Sequence, residues 1–181
     1  ASGVDVGADV ERVTVKDAFA AEGVDLGAAL SEMRAGDPLA LVKRLRQAGK
    51  DDGIDDDADF DLAFFHLMGT HIEPRLGRDR LCVLEQWPAQ MAVLARLDDD
   101  DRFARRFEAY AQGRAGVLEL CNAFDELTDA AEQRRRFVAD NASRVQLGKE
   151  AVPLDEDFLQ ALPQLPRPTA GNAMGFARLL M

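Results

Sequence analysis

The stretch Glu119-Leu120-Cys121-Asn122-Ala123-Phe124-Asp125-Glu126-Leu127-Thr128-Asp129 decides how the rest of this chain can fold. It reads as a short apolar strand interrupted by Asn and carboxylates, followed by the start of a helix. Upstream, residues 104–113 (ARRFEAYAQG) form a second alternating segment with aromatic residues. Three acids lie in or beside these half-buried segments, where Glu is depleted and an unpaired carboxylate is costly. The pattern predicts a counter-ion for Glu108, Glu119 and Glu126.

The spacing of the two segments suggests how such a counter-ion could be held. A hairpin turning at Gly113-Arg114 uses Gly at the first position of a two-residue turn, and it places Glu108 directly opposite Glu119. Like charges in this arrangement repel, whereas a bridging divalent cation would reverse the interaction. Mg²⁺ prefers oxygen ligands and leaves positions for substrate phosphates. The alternative is a solvent-facing hairpin with ordinary Glu residues, and spacing alone does not separate the two.

The same stretch poses a problem of strand geometry. Glu119 and Glu126 are seven residues apart, so on one unbroken strand they would point to opposite faces. Because Asn and Asp tolerate bulged and turn-like backbone, we predict an interruption within residues 122–125. The strand begun at Val117 would end or bulge by about Phe124, which returns Glu126 to the side of Glu119.

Composition narrows the class of protein. The chain has 181 residues, 47% of them hydrophobic and 30% charged, as in a globular domain with an ordinary core. Its net charge of −11 argues against a nucleic-acid-binding surface, which needs an excess of Lys and Arg. Cys82 and Cys121 lie in apolar runs, so two reduced thiols and a cytoplasmic location are predicted. No run approaches the length of a membrane span, so we expect no membrane partner.

Several ordered segments resemble the lysyl-type class II aminoacyl-tRNA synthetases, a family that includes ligases attaching β-lysine to a lysine of elongation factor P. The central stretch is similar to the family segment ELANGFHELTDA. The similarity continues through LTDAAEQRRRFVADN (residues 127–141) and reaches back to RRFEAY (105–110) and WPAQMAVLA (87–95). At the end of the chain, GNAMGFARLLM (171–181) has the outline of class II motif 3. The resemblance covers about the last hundred residues.

The resemblance implies an ATP- and Mg²⁺-dependent enzyme that makes an aminoacyl-adenylate from lysine or β-lysine and passes it to an acceptor amine. It implies elongation factor P as acceptor and a homodimer in the intact family, while the acidic balance makes tRNA an unlikely partner. Metal binding is expected at Glu108, Glu119 and Glu126. The other implied roles are nucleotide binding for Glu119, Leu120, Asn122, Gly175 and Arg178, substrate binding for Glu126 and catalysis for Arg178.

Departures from the family pattern keep other hypotheses open. About four residues are inserted near 112–117, Ala123 replaces a Gly, and Ala177 replaces the Asp of motif 3. Motifs 1 and 2, which build the dimer interface and supply a phosphate-binding Arg, do not occur before residue 80. The chain is therefore expected to be part of such a ligase that is inactive alone, or else a truncated, non-catalytic relative acting as a binding module. A lysyl-tRNA synthetase ranks below both.

The fold expected from these patterns is α+β, an antiparallel sheet flanked by helices that resembles the C-terminal half of a class II catalytic domain. Residues 1–79 are predicted as a mainly helical insertion region that begins with a loop over residues 1–12. Residues 80–181 are predicted as a partial catalytic domain on the motif 3 side. Its strands are expected at 80–85, 102–111, 117–124 and 171–176.

Two helix starts carry capping signals. Thr14 and Asp17 resemble a capping box that opens a short helix carrying Phe19. Asp129 and Glu132 have the same spacing, and they predict a long helix that continues to about Gln146. Its expected inward residues are Phe137, Val138, Ala142 and Val145.

Overall fold

The structure is a computed structural model and describes residues 9–180. Its strands are β1 (Glu11–Thr14), β2 (Cys82–Pro88), β3 (Phe103–Gly113), β4 (Gly116–Asp125) and β5 (Ala170–Met174). The helices in this range are α1 (Val15–Ala21), α2 (Leu26–Arg34), α3 (Ala40–Gln47), α4 (Phe60–Leu67), α5 (Ala130–Gln146), α6 (Glu156–Ala161) and α7 (Phe176–Leu179). Helix α4 runs into a π-helical turn at Met68–Ile72 and a 3₁₀ turn at Glu73–Arg75. The α+β class predicted from the sequence is confirmed.

The strands form one sheet in the order β1-β2-β3-β4-β5. Strands β2 to β5 are antiparallel to their neighbours, as predicted, whereas β1 runs parallel to β2, with Glu11 opposite Cys82. The prediction of a loop over residues 1–12 is therefore wrong for its last two residues, and residues 1–8 lie outside the described range. Strand β1 is short, and its pairing partner is 71 positions away along the chain, so no local pattern marked it.

The β3–β4 hairpin turns one residue later than predicted. Gly113 pairs with Gly116, so Arg114 and Ala115 form the turn. The later turn moves the partner of Glu108 by two residues, and a register shift between Tyr110 and Ala109 moves it by one more, so Glu108 lies opposite Asn122 and not opposite Glu119, which corrects the predicted register. A one-residue change in the turn moves every partner along the ladder, which is why hairpin register depends on turn geometry.

One hydrophobic core lies between the sheet and helices α1 to α4. Phe64 of α4 stacks on Phe19 of α1 with ring centroids 4.9 Å apart, and it lies 5.8 Å from the ring of Trp87. Leu84 and Tyr110 on the same sheet face complete this core. Thr14 caps α1 by accepting from the Asp17 amide at 2.9 Å, as its spacing predicted. The predicted helical region thus covers one face of the sheet at the β2 and β3 end.

Helix α5 begins and ends where the sequence predicts. The Asp129 side chain caps it by accepting from the amides of Ala131 and Glu132. The predicted inward face is wrong for three of its four residues, because Val138 and Val145 are more than half exposed and Ala142 is exposed as well. The fully buried residue of this helix is Gln133. Over residues 9–180, no helix combines the length and the apolar content needed to cross a bilayer.

Candidate active site

A β-bulge in β4 brings the predicted acids to one face of the sheet. Glu119 lies opposite Tyr110, but the next pair along is Cys121 with Ala109, so Leu120 is the extra residue of the bulge. Beyond the bulge, Asn122 lies opposite Glu108. Since directly opposed residues share a face, Glu119 and Asn122 lie on the same side. We call this side the acidic face.

The predicted interruption between Glu119 and Glu126 is confirmed, although its place differs. The bulge is at Leu120, before the predicted window, and β4 itself ends at Asp125. Glu126, just beyond the strand, forms an isolated β-bridge with Ala95. Its carboxylate lies against Gly171, at the position that a Cβ on this glycine would occupy. Gly171 is paired with Phe124, two residues along from Asn122, so Glu126 borders the acidic face.

Glu108 has a counter-ion within its own strand. Arg106 Nη2 donates to Glu108 Oε1 at 2.5 Å, the Tyr110 hydroxyl donates to Oε2, and Asn122 Nδ2 donates to Oε1 at 3.1 Å. The Arg106 guanidinium lies 4.4 Å from the centre of the Trp87 ring, a cation–π arrangement. Both oxygens of Glu108 are thus engaged by protein donors. Burial nevertheless raises the pKa of this carboxyl, against the lowering effect of Tyr110 and Arg106.

Glu119 is the more open acid of this face. Its side chain is 38% exposed, and its nearest cation is Arg178, whose Nη1 lies 3.5 Å from Glu119 Oε2. The same nitrogen donates to the main-chain carbonyl of Glu119 at 3.0 Å. The Gly175 amide donates to the carbonyl of Leu120 at 2.9 Å. The structure therefore brings four of the predicted nucleotide-binding residues, Glu119, Leu120, Gly175 and Arg178, to the junction of β4, β5 and α7.

Glu126 helps to line a cavity of about 390 Å³. The cavity is lined by Glu126, Arg96, Asp125, Leu127, Thr128, Asp129, Arg167, Pro168 and Thr169. Burial, and then the charge of Asp125, raise the pKa of Glu126. A cation that binds beside such a carboxyl stabilises its charged form, because it compensates the negative charge that burial disfavours.

The acidic face carries an unpaired acceptor and additional negative charge. Asn122 Oδ1 is buried and has no partner among the described residues, and a buried acceptor of this kind is costly. Glu73, in the 3₁₀ turn beside β4, adds negative charge: its pKa is raised by burial and then by Glu108 and Glu119. Over residues 9–180 the side chains do not by themselves assemble a cluster of three metal-ligating groups. A cation here would need ligand oxygens from a bound molecule.

A larger hollow of about 510 Å³ lies on the opposite face of the sheet. Phe107, Ala123 and Asn172 help to line it, and these residues alternate with those of the acidic face. None of the predicted site residues lines this hollow, whereas Glu119 and Asn122 share the acidic face and Glu126 borders it. We therefore place the candidate site on the acidic face.

Sequence reasoning missed the groups that support these acids. Arg106 and Tyr110 are each two residues from Glu108, and strand periodicity alone would have placed all three on one face. Glu73 was not found, because it lies on a turn whose approach to β4 depends on helix packing. Ala123, which replaces a family Gly, is buried on the opposite face, so its Cβ does not crowd the acidic face.

A comparison of the sequence with known families shows which one this chain belongs to. The sequence model of the family described as "tRNA synthetases class II (D, K and N)" matches residues 5–181, and the chain belongs to this family. Among curated proteins, it is 40% identical over 151 residues to the Elongation factor P--(R)-beta-lysine ligase of Pectobacterium atrosepticum, covering 80% of this chain and 45% of that protein.

Other relatives with the same printed name agree with this match. The protein of Histophilus somni is 40% identical over 151 residues, again 80% of this chain and 45% of the relative. The protein of Sodalis glossinidius is 41% identical over 134 residues, 74% of this chain and 39% of the relative. The chain spans less than half the length of the curated relatives that it matches.

Proposed function

We propose that this chain is part of an ATP-dependent ligase that activates lysine or β-lysine as an adenylate and attaches it to a lysine of elongation factor P. The observation that carries the proposal is the shared face of Glu119, Asn122 and Glu126, next to the β5–α7 junction with Arg178. The printed names of the relatives support the same reaction. Elongation factor P as acceptor also suits the net charge of −11, which disfavours tRNA.

In this proposal Glu119 and Glu126 would hold Mg²⁺ together with the nucleotide phosphates, and Glu108 would add negative charge on the same face. When bound, Mg²⁺ neutralises phosphate charge at the reacting phosphorus. Glu126 also faces the amine of the amino-acid substrate, and its raised pKa favours a cationic ligand. Asn122 offers its unpartnered Oδ1 to the ligand.

Arg178 would act as the catalytic residue by moving from Glu119 to the phosphates. Its side chain is 53% exposed, and its contact with Glu119 Oε2 is 3.5 Å long, so the exchange of partners costs little. Gly175 leaves room for it, because a Cβ at this position would lie 3.2 Å from Arg178 Cδ. The Leu120 carbonyl holds the Gly175 amide and so positions the start of α7. A homodimeric assembly and a cytoplasmic location are part of the proposal through the family resemblance.

To test the proposal, the chain is completed with the part of a relative that its match to this chain leaves uncovered. The chain is joined to the unaligned part of the Pectobacterium atrosepticum ligase, and ATP–pyrophosphate exchange is measured with lysine, with β-lysine and without amino acid. We expect amino-acid-dependent exchange and a mass increase of elongation factor P equal to one lysyl or β-lysyl group.

A folded chimera that binds Mg²⁺–ATP but shows no amino-acid-dependent exchange would contradict the ligase proposal and favour a binding module. Exchange without modification of elongation factor P, but with charging of tRNA, would favour a lysyl-tRNA synthetase. The exposed acid Glu156 pairs with Arg134 away from the acidic face, so Glu156→Gln is the matched control and should leave exchange unchanged.

A further inference from the structure

The backbone around Glu126 is held between two segments. On one side lies the segment of residues 92–97, most of which is neither helix nor strand. The main-chain contacts on that side are Arg96 N to Asp125 O at 2.8 Å, Leu127 N to Leu94 O at 2.9 Å and the bridge of Ala95 with Glu126. On the other side, Glu126 N donates to Thr169 O at 2.9 Å. The position of Glu126 therefore depends on where residues 92–97 lie.

Side chains of helix α5 hold residues 92–97 by donating hydrogen bonds to the main-chain carbonyl groups of this segment. Arg136 Nη1 lies 2.7 Å from Ala95 O, 3.3 Å from Val93 O and 3.4 Å from Ala92 O. Gln133, one turn earlier and fully buried, donates through Nε2 to Val93 O at 3.2 Å. A guanidinium is suited to such a task, because it presents several donors in a rigid fork.

The Arg136 guanidinium is itself fixed in place. Its Nε donates to Glu132 Oε1 at 2.8 Å, and its side chain is only 13% exposed. The neighbouring Arg135 pairs with the same Glu132 carboxylate at 2.7 Å, but its side chain is 70% exposed and its described hydrogen bonds reach no carbonyl of residues 92–97. The two arginines thus share a helix, a charge and an ion-pair partner, and they differ in the contact with this segment.

We propose that Arg136 is a positioning residue: it clamps residues 92–97 through their carbonyls and thereby sets the place of the Glu126 carboxylate. The consequence for substrate binding rests on the proposed function, since it requires that Glu126 faces the amino acid. The clamp itself does not depend on that function.

The first experiment uses the chain as it stands and measures amide hydrogen exchange. In Arg136→Ala, the Arg96 and Leu127 amides, which join the two segments, should exchange at least about 10-fold faster, because hydrogen bonds to a charged group are lost. Arg135→Ala should leave these amides unchanged, and the amides of the β2–β3 ladder should be unaffected in both variants. Equal exchange at Arg96 and Leu127 in the two variants would overturn the proposal.

A conservative variant keeps the test decisive if Arg136→Ala does not fold. Arg136→Lys retains the charge and one donor group, so it should fold and show exchange between that of the wild type and that of a chain without the clamp. Wild-type exchange at Arg96 and Leu127 in a folded Arg136→Lys chain would show that the fork of donors is not needed, which contradicts the proposal.

The second experiment uses the chimera described above and separates positioning from general loss of structure. Arg136→Ala should raise the KM for the amino acid about 10-fold or more and the KM for ATP by clearly less, since Glu126 faces the amino acid directly and reaches the nucleotide only through Mg²⁺, while Glu119 and Arg178 stay in place. A parallel rise in both constants, or no rise, would overturn the positioning role. If the wild-type chimera is inactive, the proposed function fails while the exchange experiment still decides the clamp.

Discussion

Glu108 illustrates how a single residue is accommodated on a sheet. It is 5% exposed, and a carboxylate at this depth is stable only when donors surround it. Arg106, Tyr110 and Asn122 supply those donors. Glu108, one of the three acids that the sequence assigned to a metal, is thus engaged by donors of β3 and β4, while Glu119 remains open for a ligand.

Replacing Glu119 with Gln should abolish Mg²⁺-dependent adenylate formation in the chimera. The amide keeps the shape of the side chain but removes the charge that a divalent cation requires, and one such electrostatic contact is worth about 10²–10³ in rate. Amino-acid-dependent pyrophosphate exchange reports this directly. Retained exchange in Glu119→Gln would remove Glu119 from the site.

Replacing Gly171 with Ala should displace the Glu126 carboxylate without unfolding the chain. The added Cβ would meet Glu126 Oε1 and lie 3.2 Å from its Cδ, and the end of a flexible side chain can move away. We expect the affinity for the amino acid to fall about 10-fold, and the free energy of unfolding to change by no more than about 1 kcal/mol, because Ala is itself favoured over Gly within a strand by about 0.5–1 kcal/mol. Gly69→Ala is the control, because nothing lies within 4 Å of its new Cβ. Unchanged affinity in Gly171→Ala would contradict the role of Glu126.

At the scale of elements, an ion cluster centred on one buried carboxylate joins three parts of the helical region. Glu22 follows α1, and its side chain is 5% exposed. Its Oε2 accepts from Lys50 Nζ, beyond α3, at 2.9 Å, and its Oε1 lies 2.6 Å from Arg75 Nη1 in the 3₁₀ turn. Because Arg75 is two residues from Glu73, this cluster also anchors the turn that approaches β4.

Replacing Glu22 with Gln should therefore lower the free energy of unfolding by about 2 kcal/mol at pH 7. The hydrogen bond from Lys50, followed by that from Arg75, holds the pKa of Glu22 below its ordinary value in spite of burial. A folded-state pKa below the unfolded value gives stability that is present above about pH 4.3 and is lost as the pH falls through the folded pKa. Urea unfolding of both chains at pH 7 and at acid pH measures the difference, which should shrink in acid.

Glu32→Gln provides the control for this experiment. Glu32 pairs with Arg44 at 2.6 Å, but its side chain is 49% exposed, so its loss should cost less than about 0.5 kcal/mol. Equal losses in Glu22→Gln and Glu32→Gln would mean that burial adds nothing to the cluster.

At the scale of the whole molecule, the acidic face supplies fewer cations than a triphosphate needs. Arg106 is engaged by Glu108, and Arg178 lies beside Glu119. Glu73 and Glu126 add further negative charge. Phosphate groups must therefore find cations beyond those that this face supplies over residues 9–180.

We expect the 181-residue chain to show no lysine-dependent ATP–pyrophosphate exchange when it is assayed alone. The family resemblance assigns a phosphate-binding Arg to motif 2, which this sequence does not contain, and the loss of one such contact lowers the rate about 10²–10³-fold. The chimera, assayed at equal concentration, is the positive control. Robust exchange by the chain alone would contradict the prediction.

Features that depend on neighbouring residues were determined by the sequence. Asp129 and its spacing to Glu132 predicted where α5 begins, because an N-cap bonds to amides within the next turn. The alternating segments around Glu108 and Glu119 predicted β3 and β4, and the motif resemblance identified the family that the comparison confirms. The need to interrupt β4 also followed from the sequence, because Glu119 and Glu126 are an odd number of residues apart and would otherwise point to opposite faces.

Features that depend on partners distant in the chain were decided only by the tertiary structure. The bulge at Leu120 arises from the way β4 pairs with β3, and it sets which side chains share a face. Strand β1 exists because β2 offers it an edge, and Arg136 gains its role because α5 packs against residues 92–97. A local pattern specifies propensity and periodicity, whereas register and counter-ions are selected by the free energy of the packed molecule.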